Sequence, residues 1–132
     1  MQTKKVSTKN PGELSLAGRK IESGIDVLER ARIRMALKRY GERFLKKIYT
    51  ERERKSFLEE KEIYFSIGFS MKEAFWKTLP ADIQGKTYFD DIEILWDGNK
   101  LEIFLSGKKV KNAYLSYAFN KKNVLTTVIR YL

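Results

Sequence analysis

The chain has neither cysteine nor histidine, only 2 prolines in 132 residues, and fewer acidic side chains (17) than basic ones (27). Without cysteine there can be no disulfide, no thiolate nucleophile and no cysteine zinc site. Without histidine, the usual general base near neutral pH and the commonest transition-metal ligand are both missing. Acid–base or metal chemistry must therefore fall to carboxylates, lysines and water. A carboxylate site favours a hard cation such as magnesium, calcium or manganese. No apolar run approaches the roughly 20 residues that span a bilayer, and the first residues lack the apolar core of a signal peptide. These absences lead to the expectation of a soluble, cytoplasmic protein with no membrane partner.

What the chain does have is a hydrophobic fraction of 42%, including 13% aromatic residues, enough to build a packed core. Its length suits one domain. The net charge of +10 will attract polyanions, whether nucleic acid, anionic membrane, a phosphorylated small molecule or an acidic protein. Arginines at 30, 32, 34, 39 and 43, with Tyr88, Tyr114 and Tyr117, could serve phosphates and stacked bases, yet no nucleic-acid motif accompanies them.

Residues 1–20 are polar and basic without a sustained period and read as a flexible N-terminal extension to a single domain over 21–132. Ile21–Leu28 is a strand candidate. Ile33, Leu37, Tyr40 and Phe44 then recur at helical spacing, with Gly41 as an interruption. Thr50 followed by Glu53 is a capping box opening a helix through Phe57 and Leu58, and a further helical run spans 62–79 and stops at Pro80. The last third changes character: Tyr88–Trp96, Leu101–Leu105, Tyr114–Phe119 and Val124–Tyr131 read as four strands rich in β-branched and aromatic residues. The fold class expected is α+β, with N-terminal helices packed on an antiparallel sheet whose last four strands form a meander.

Within the long helical run, Glu73 and Lys77 lie four residues apart on one face, with Lys72 beside them. Asp26 follows Gly24 at what reads as a strand end. Asp26 and Glu73 meeting across the core could hold one divalent cation through oxygen. Two carboxylates leave the other positions to water or substrate phosphate, as magnesium prefers. Lys77 would face the same anion, and the set suits phosphoryl-type transfer. The plainer alternative makes Asp26 a helix cap and Glu73–Lys77 an exposed pair worth a few tenths of a kcal/mol.

Motif order favours the first reading. Gly24-Ile25-Asp26, Arg43-Phe44 before Ile48-Tyr49-Thr50, Phe69 with Lys72-Glu73-Ala74-Phe75-Trp76-Lys77, Phe89-Asp90-Asp91-Ile92-Glu93-Ile94 and Gly98-Asn99-Lys100 together resemble the holo-[acyl-carrier-protein] synthase branch of the 4′-phosphopantetheinyl transferase superfamily, over about residues 23–132. The resemblance implies a 4′-phosphopantetheinyl transferase-like fold. It also implies an enzyme that moves the 4′-phosphopantetheine arm of coenzyme A to a serine of apo acyl carrier protein, releasing adenosine 3′,5′-bisphosphate. By matching positions, Asp26 and Glu73 would hold Mg2+, Lys77 would steady the leaving group, and Lys72, Lys77 and Ser116 would contact coenzyme A. The resemblance further implies that Arg32, Arg39 and Arg43 dock the acidic carrier protein and that the chain assembles as a homotrimer with sites between subunits. The serine proton would go to a metal-bound water or to a carboxylate. Gly68, Ala118 and Phe119 depart from the family pattern, which often has arginine at the first position and serine or threonine followed by histidine at the other two. A catalytically degenerate member that only binds an acidic partner is the alternative those departures raise.

Overall fold

The computed structural model describes residues 20–57 and 59–132, so the expected N-terminal extension lies, but for residue 20, outside the described residues. Strand β1 (Ile21–Glu29) leads directly into helix α1 (Arg30–Tyr40), followed by α2 (Glu42–Ile48), α3 (Glu51–Ser56) and the long α4 (Glu62–Trp76). A four-residue helix α5 (Ala81–Gln84) and a 3-10 turn (Phe89–Asp91) connect to β2 (Ile92–Asp97) and β3 (Lys100–Leu105). The short β4 (Lys108–Lys109), β5 (Ala113–Phe119) and β6 (Asn123–Tyr131) complete the chain.

Local chemistry explains most of these boundaries. Gly41 separates α1 from α2 because it adopts φ +55°, a backbone region costly to other residues, while its N–H closes on the Leu37 carbonyl. The capping box is formed: Glu53 N–H donates to Thr50 Oγ1 at 3.1 Å and Thr50 N–H donates to Glu53 Oε1 at 2.9 Å. The helix it opens ends at Ser56, before Phe57, whose backbone is extended; Leu58 lies outside the described residues. Helix α4 stops at Trp76, earlier than Pro80 alone requires, because Thr78 N–H and Oγ1 both donate to the Phe75 carbonyl and tighten the final turn. The expected strand from Tyr88 begins only at Ile92, since the Asp91 side chain accepts from Tyr88 N–H and holds a turn there.

All strand pairs are antiparallel, and the α+β class stands, but the last four strands are not one meander. They divide between two three-stranded sheets, β1-β6-β5 and β2-β3-β4. The reason is α4. It buries Phe65, Ile67, Met71, Ala74 and Phe75 around nearly its whole circumference, so a single sheet cannot cover it. One side packs on β1 and β6 and another on β2. Strand β6 therefore leaves β2 and β3 and pairs with the first strand, in the register Asp26 opposite Thr126 and Gly24 opposite Val128.

The approach of β1 to α4 is unusually close. A Cβ built on Gly24 would fall 1.9 Å from the Ala74 carbonyl oxygen, a backbone atom that cannot swing aside. Glycine is required here for space, and the closeness brings Asp26, two residues on, against the last turns of α4. Replacing Gly24 with alanine should force the strand off the helix and cost about 3 kcal/mol or more, beyond ordinary overpacking. Chemical denaturation checks this; a Gly24→Ala variant with an unchanged midpoint would mean that the contact is not tight.

Candidate active site

Asp26 lies mid-strand in β1, not at its end as expected, and side-chain alternation along the strand explains its orientation. Gly24, Asp26 and Leu28 turn toward α4, while Ile25 and Val27 turn outward. Nor does Asp26 cap a helix: the N-cap of α1 is Glu29, which makes no side-chain capping bond. The Asp26 carboxylate instead meets two groups from α4 and its C-cap. Ser70 Oγ donates to Oδ2 at 2.8 Å, and Lys77 Nζ lies 3.3 Å from Oδ1 while donating to the Ile25 carbonyl at 2.7 Å. Lys77 thus pairs across elements with Asp26 rather than forming the simple helical pair with Glu73.

Glu73 completes the cluster. Burial pushes its carboxyl above the usual carboxylate range, and the neighbouring Asp26 charge pushes it further, while Lys77 and Arg32 pull it back. The structure therefore gathers Asp26, Glu73 and Lys77 into one electrostatic neighbourhood, as the family resemblance implies. Arg32 belongs to it as well, although the sequence assigns it only to docking. Both acidic groups offer oxygen alone, and their mutual repulsion is what a bound cation would relieve. Among the described residues no group of three or more His, Cys, Asp or Glu side chains comes together, so no third carboxylate joins this pair. That suits an ion that keeps water and substrate phosphate in its remaining positions. On the other side of Glu73 lies a cavity of about 230 Å³ walled by Trp76, Thr87, Tyr88, Phe89 and Ile92.

Lys72 is a correction to the sequence reading. Its side chain is fully buried and points away from the pair, with Nζ 2.7 Å from Glu53 Oε1, 2.8 Å from the Ile48 and Phe89 carbonyls and 2.5 Å from that of Ile92. An ammonium has three protons, and here four oxygens already compete for them, so none remains for a phosphate. Glu53 is equally committed, its Oε2 accepting the Ile94 N–H at 2.9 Å. Burial pushes the Glu53 carboxyl up and the Lys72 ammonium down, each opposed by the partner's charge. Adjacent residues of one helix have thus taken opposite tasks: Lys72 ties α2, α3 and β2 to α4, and Glu73 faces the site.

Ser116 lies apart from this cluster within one chain. It is exposed on β5 opposite Thr127, in the outward row that includes Ile25, so within one chain the sheet separates it from Asp26 and Glu73. Phe119 stacks on Tyr117 with ring centroids 6.4 Å apart, and Arg30 lies over it at 5.8 Å. Arg39 and Arg43 are exposed on α1 and α2. Arg30 and Arg34, by contrast, are tied to Glu62 at 3.0 and 3.1 Å. Gly68 packs beside Tyr49, where an added Cβ would sit 3.4 Å from the ring. Sequence reasoning missed Glu53 as the partner of Lys72, and Ser70 and Thr126 behind Asp26. Only Ser70 left a trace, being one turn before Glu73 on the same helix.

The chain is similar to known proteins in sequence and in fold. A profile of the 4′-phosphopantetheinyl transferase superfamily matches residues 22–129. The chain is 34% identical to a holo-[acyl-carrier-protein] synthase of Chloroherpeton thalassium over 116 residues, 83% of this chain and 96% of that protein. It is 40% identical to that of Carboxydothermus hydrogenoformans over 91 residues, 67% of this chain and 73% of the relative. The crystal structure of a Bacillus anthracis holo-(acyl-carrier-protein) synthase in complex with CoA (3′,5′-ADP) superposes with a TM-score of 0.68 at 25% identity, over 86% of this chain and 98% of that one.

The buried Lys72–Glu53 pair carries its own prediction. Lys72→Met should strand an uncompensated carboxylate and three carbonyls in the interior, at a cost of about 3–5 kcal/mol. Adding Glu53→Gln should recover part of it by removing the charge, and thermal unfolding of the two variants checks both. Equal stability of Lys72→Met and the unmutated chain would show that the pair is not a structural tie.

Proposed function

The chain belongs to the 4′-phosphopantetheinyl transferase superfamily, and we propose that it acts there as a holo-[acyl-carrier-protein] synthase. The serine hydroxyl of apo acyl carrier protein attacks the phosphorus of coenzyme A that bears the pantetheine arm. A serine–phosphate bond forms, the bridging P–O bond of the pyrophosphate breaks, and adenosine 3′,5′-bisphosphate leaves. The observation that carries this reading is the convergence of Asp26, Glu73 and Lys77 from a strand and a helix far apart in sequence.

Asp26 and Glu73 would hold Mg2+, which supplies charge neutralisation at the pyrophosphate. Lys77 spends two donors on Ile25 and Asp26 and keeps a third for a phosphate oxygen of the leaving group. The serine proton passes to a carboxylate of the pair or to water held by it. Arg32, Arg39 and Arg43 line the exposed side of α1 and α2 and offer planar forks to an acidic carrier protein.

Assembly as a homotrimer is supported by the outward face of the β1-β6-β5 sheet. Ile21, Ile25, Val27, Leu125, Ile129 and Tyr114 lie exposed there, 42–65% accessible, on a chain of net charge +10. A largely apolar face, with Glu29 at its end, on so basic a protein suits burial against another copy. In such an assembly Ser116, on the same outward face, would lie between copies. Among the described residues no helix is long and apolar enough to cross a membrane. From its likeness to holo-[acyl-carrier-protein] synthases we assign the chain to the cytoplasm and to fatty acid biosynthesis. One observation favours a binding-only member: Ala118 and Phe119 stand where the family usually has serine or threonine followed by histidine.

Mass spectrometry separates the two. Incubated with coenzyme A, magnesium and apo carrier protein, the chain should add the phosphopantetheine mass to the serine. Glu73→Ala should lower the rate by at least about 100-fold, the scale of a group neutralising transition-state charge. Charge reversal at Arg39 and Arg43 should raise the KM for carrier protein and leave that for coenzyme A unchanged. No mass gain with several carrier proteins would leave the binding-only reading.

A further inference from the structure

Asp26 does not stand alone behind the site. Ser70 and Thr126 are fully buried, on α4 and β6, and their hydroxyl oxygens lie 2.8 Å apart. Ser70 Oγ is also 2.8 Å from Asp26 Oδ2. A carboxylate only accepts, so the single Ser70 proton must go to Asp26, and the bond between the hydroxyls must run from Thr126 to Ser70. The result is a directed chain, Thr126 to Ser70 to Asp26, built across three elements: Asp26 and Thr126 face each other in the β1–β6 register, and α4 packs over both.

We propose that Ser70, oriented by Thr126, is a positioning residue that fixes the Asp26 carboxylate for cation binding. The inference rests on the reading of Asp26 and Glu73 as cation holders. With Oδ2 bound by Ser70, rotation of the carboxylate about χ2 is blocked, and Oδ1 is held on the side from which Lys77 approaches. Hydrogen bonds behind a ligand typically govern metal affinity by 10–100-fold. The two hydroxyls are coupled in one direction: without Ser70 the buried Thr126 hydroxyl would lose the partner it donates to, while Ser70 itself ends on the Asp26 carboxylate.

Mn2+ binding, followed by electron paramagnetic resonance in the presence of coenzyme A, tests this without relying on turnover. Ser70→Ala should weaken Mn2+ binding by at least about 10-fold, with the thermal midpoint lowered by only a few degrees. Thr126→Val, which keeps shape and removes the hydroxyl, should weaken it less, and Thr126→Ser should bind as the unmutated chain does. Should Ser70→Ala unfold, Thr126→Val against Thr126→Ser decides the matter. Unaltered Mn2+ affinity in Ser70→Ala and Thr126→Val overturns the positioning role while leaving the cation reading intact. Absence of binding in the unmutated chain overturns both.

Discussion

The functional geometry depends on how closely the first strand approaches the central helix. With no side chain at Gly24, β1 rests against the α4 backbone at Ala74, and the pleat then turns Asp26 toward Ser70, Glu73 and Lys77. Any larger residue at that position would separate the two carboxylates. The pairing of β1 with β6 serves the same end, because it locks the strand in register and places Thr126 behind Asp26. A site assembled from a strand near one end of the described chain and a helix in its middle is thus held by packing rather than by a local motif.

A second constraint works from the other side of α4. The Lys72 ammonium, sharing its protons among Glu53 and three carbonyls, draws the end of α2, the start of α3, the 3-10 turn and β2 onto the helix. Phe89 and Ile92, whose carbonyls it holds, are also walls of the cavity beside Glu73. Buried ion pairs add little net stability over an apolar core, yet they fix orientation, because an ammonium among several oxygens has few acceptable positions. The helix therefore divides its polar residues between holding the frame and facing the substrate.

Much of this is legible in the amino-acid sequence. Asp26, Glu73 and Lys77 stood out through the order of motifs that resembles the family, while Gly41, the Thr50–Glu53 box and the turn glycines marked element ends because those signals are local. What could not be read depends on direction and pairing. Lys72 and Glu73 are neighbours in sequence, and only the packing of α4 between two sheets decides which of them turns inward. The union of β1 with β6 is a long-range choice that strand patterns do not encode. The face that Ser116 occupies was hidden for the same reason, since it follows from the register of β5 against β6. Ser70 and Thr126 are ordinary hydroxyl residues until the fold stacks them behind Asp26.

The central claim is that two carboxylates, one from β1 and one from α4, jointly bind a cation that bridges to a diphosphate. Anomalous diffraction at the manganese edge, from crystals grown with Mn2+ and coenzyme A, tests it most directly. A single peak within about 2–2.5 Å of oxygens from both Asp26 and Glu73, the range for oxygen-ligated divalent ions, and in contact with the pyrophosphate, is the result expected. Coenzyme A bound with the metal absent from this pair, or held by other side chains, would contradict it.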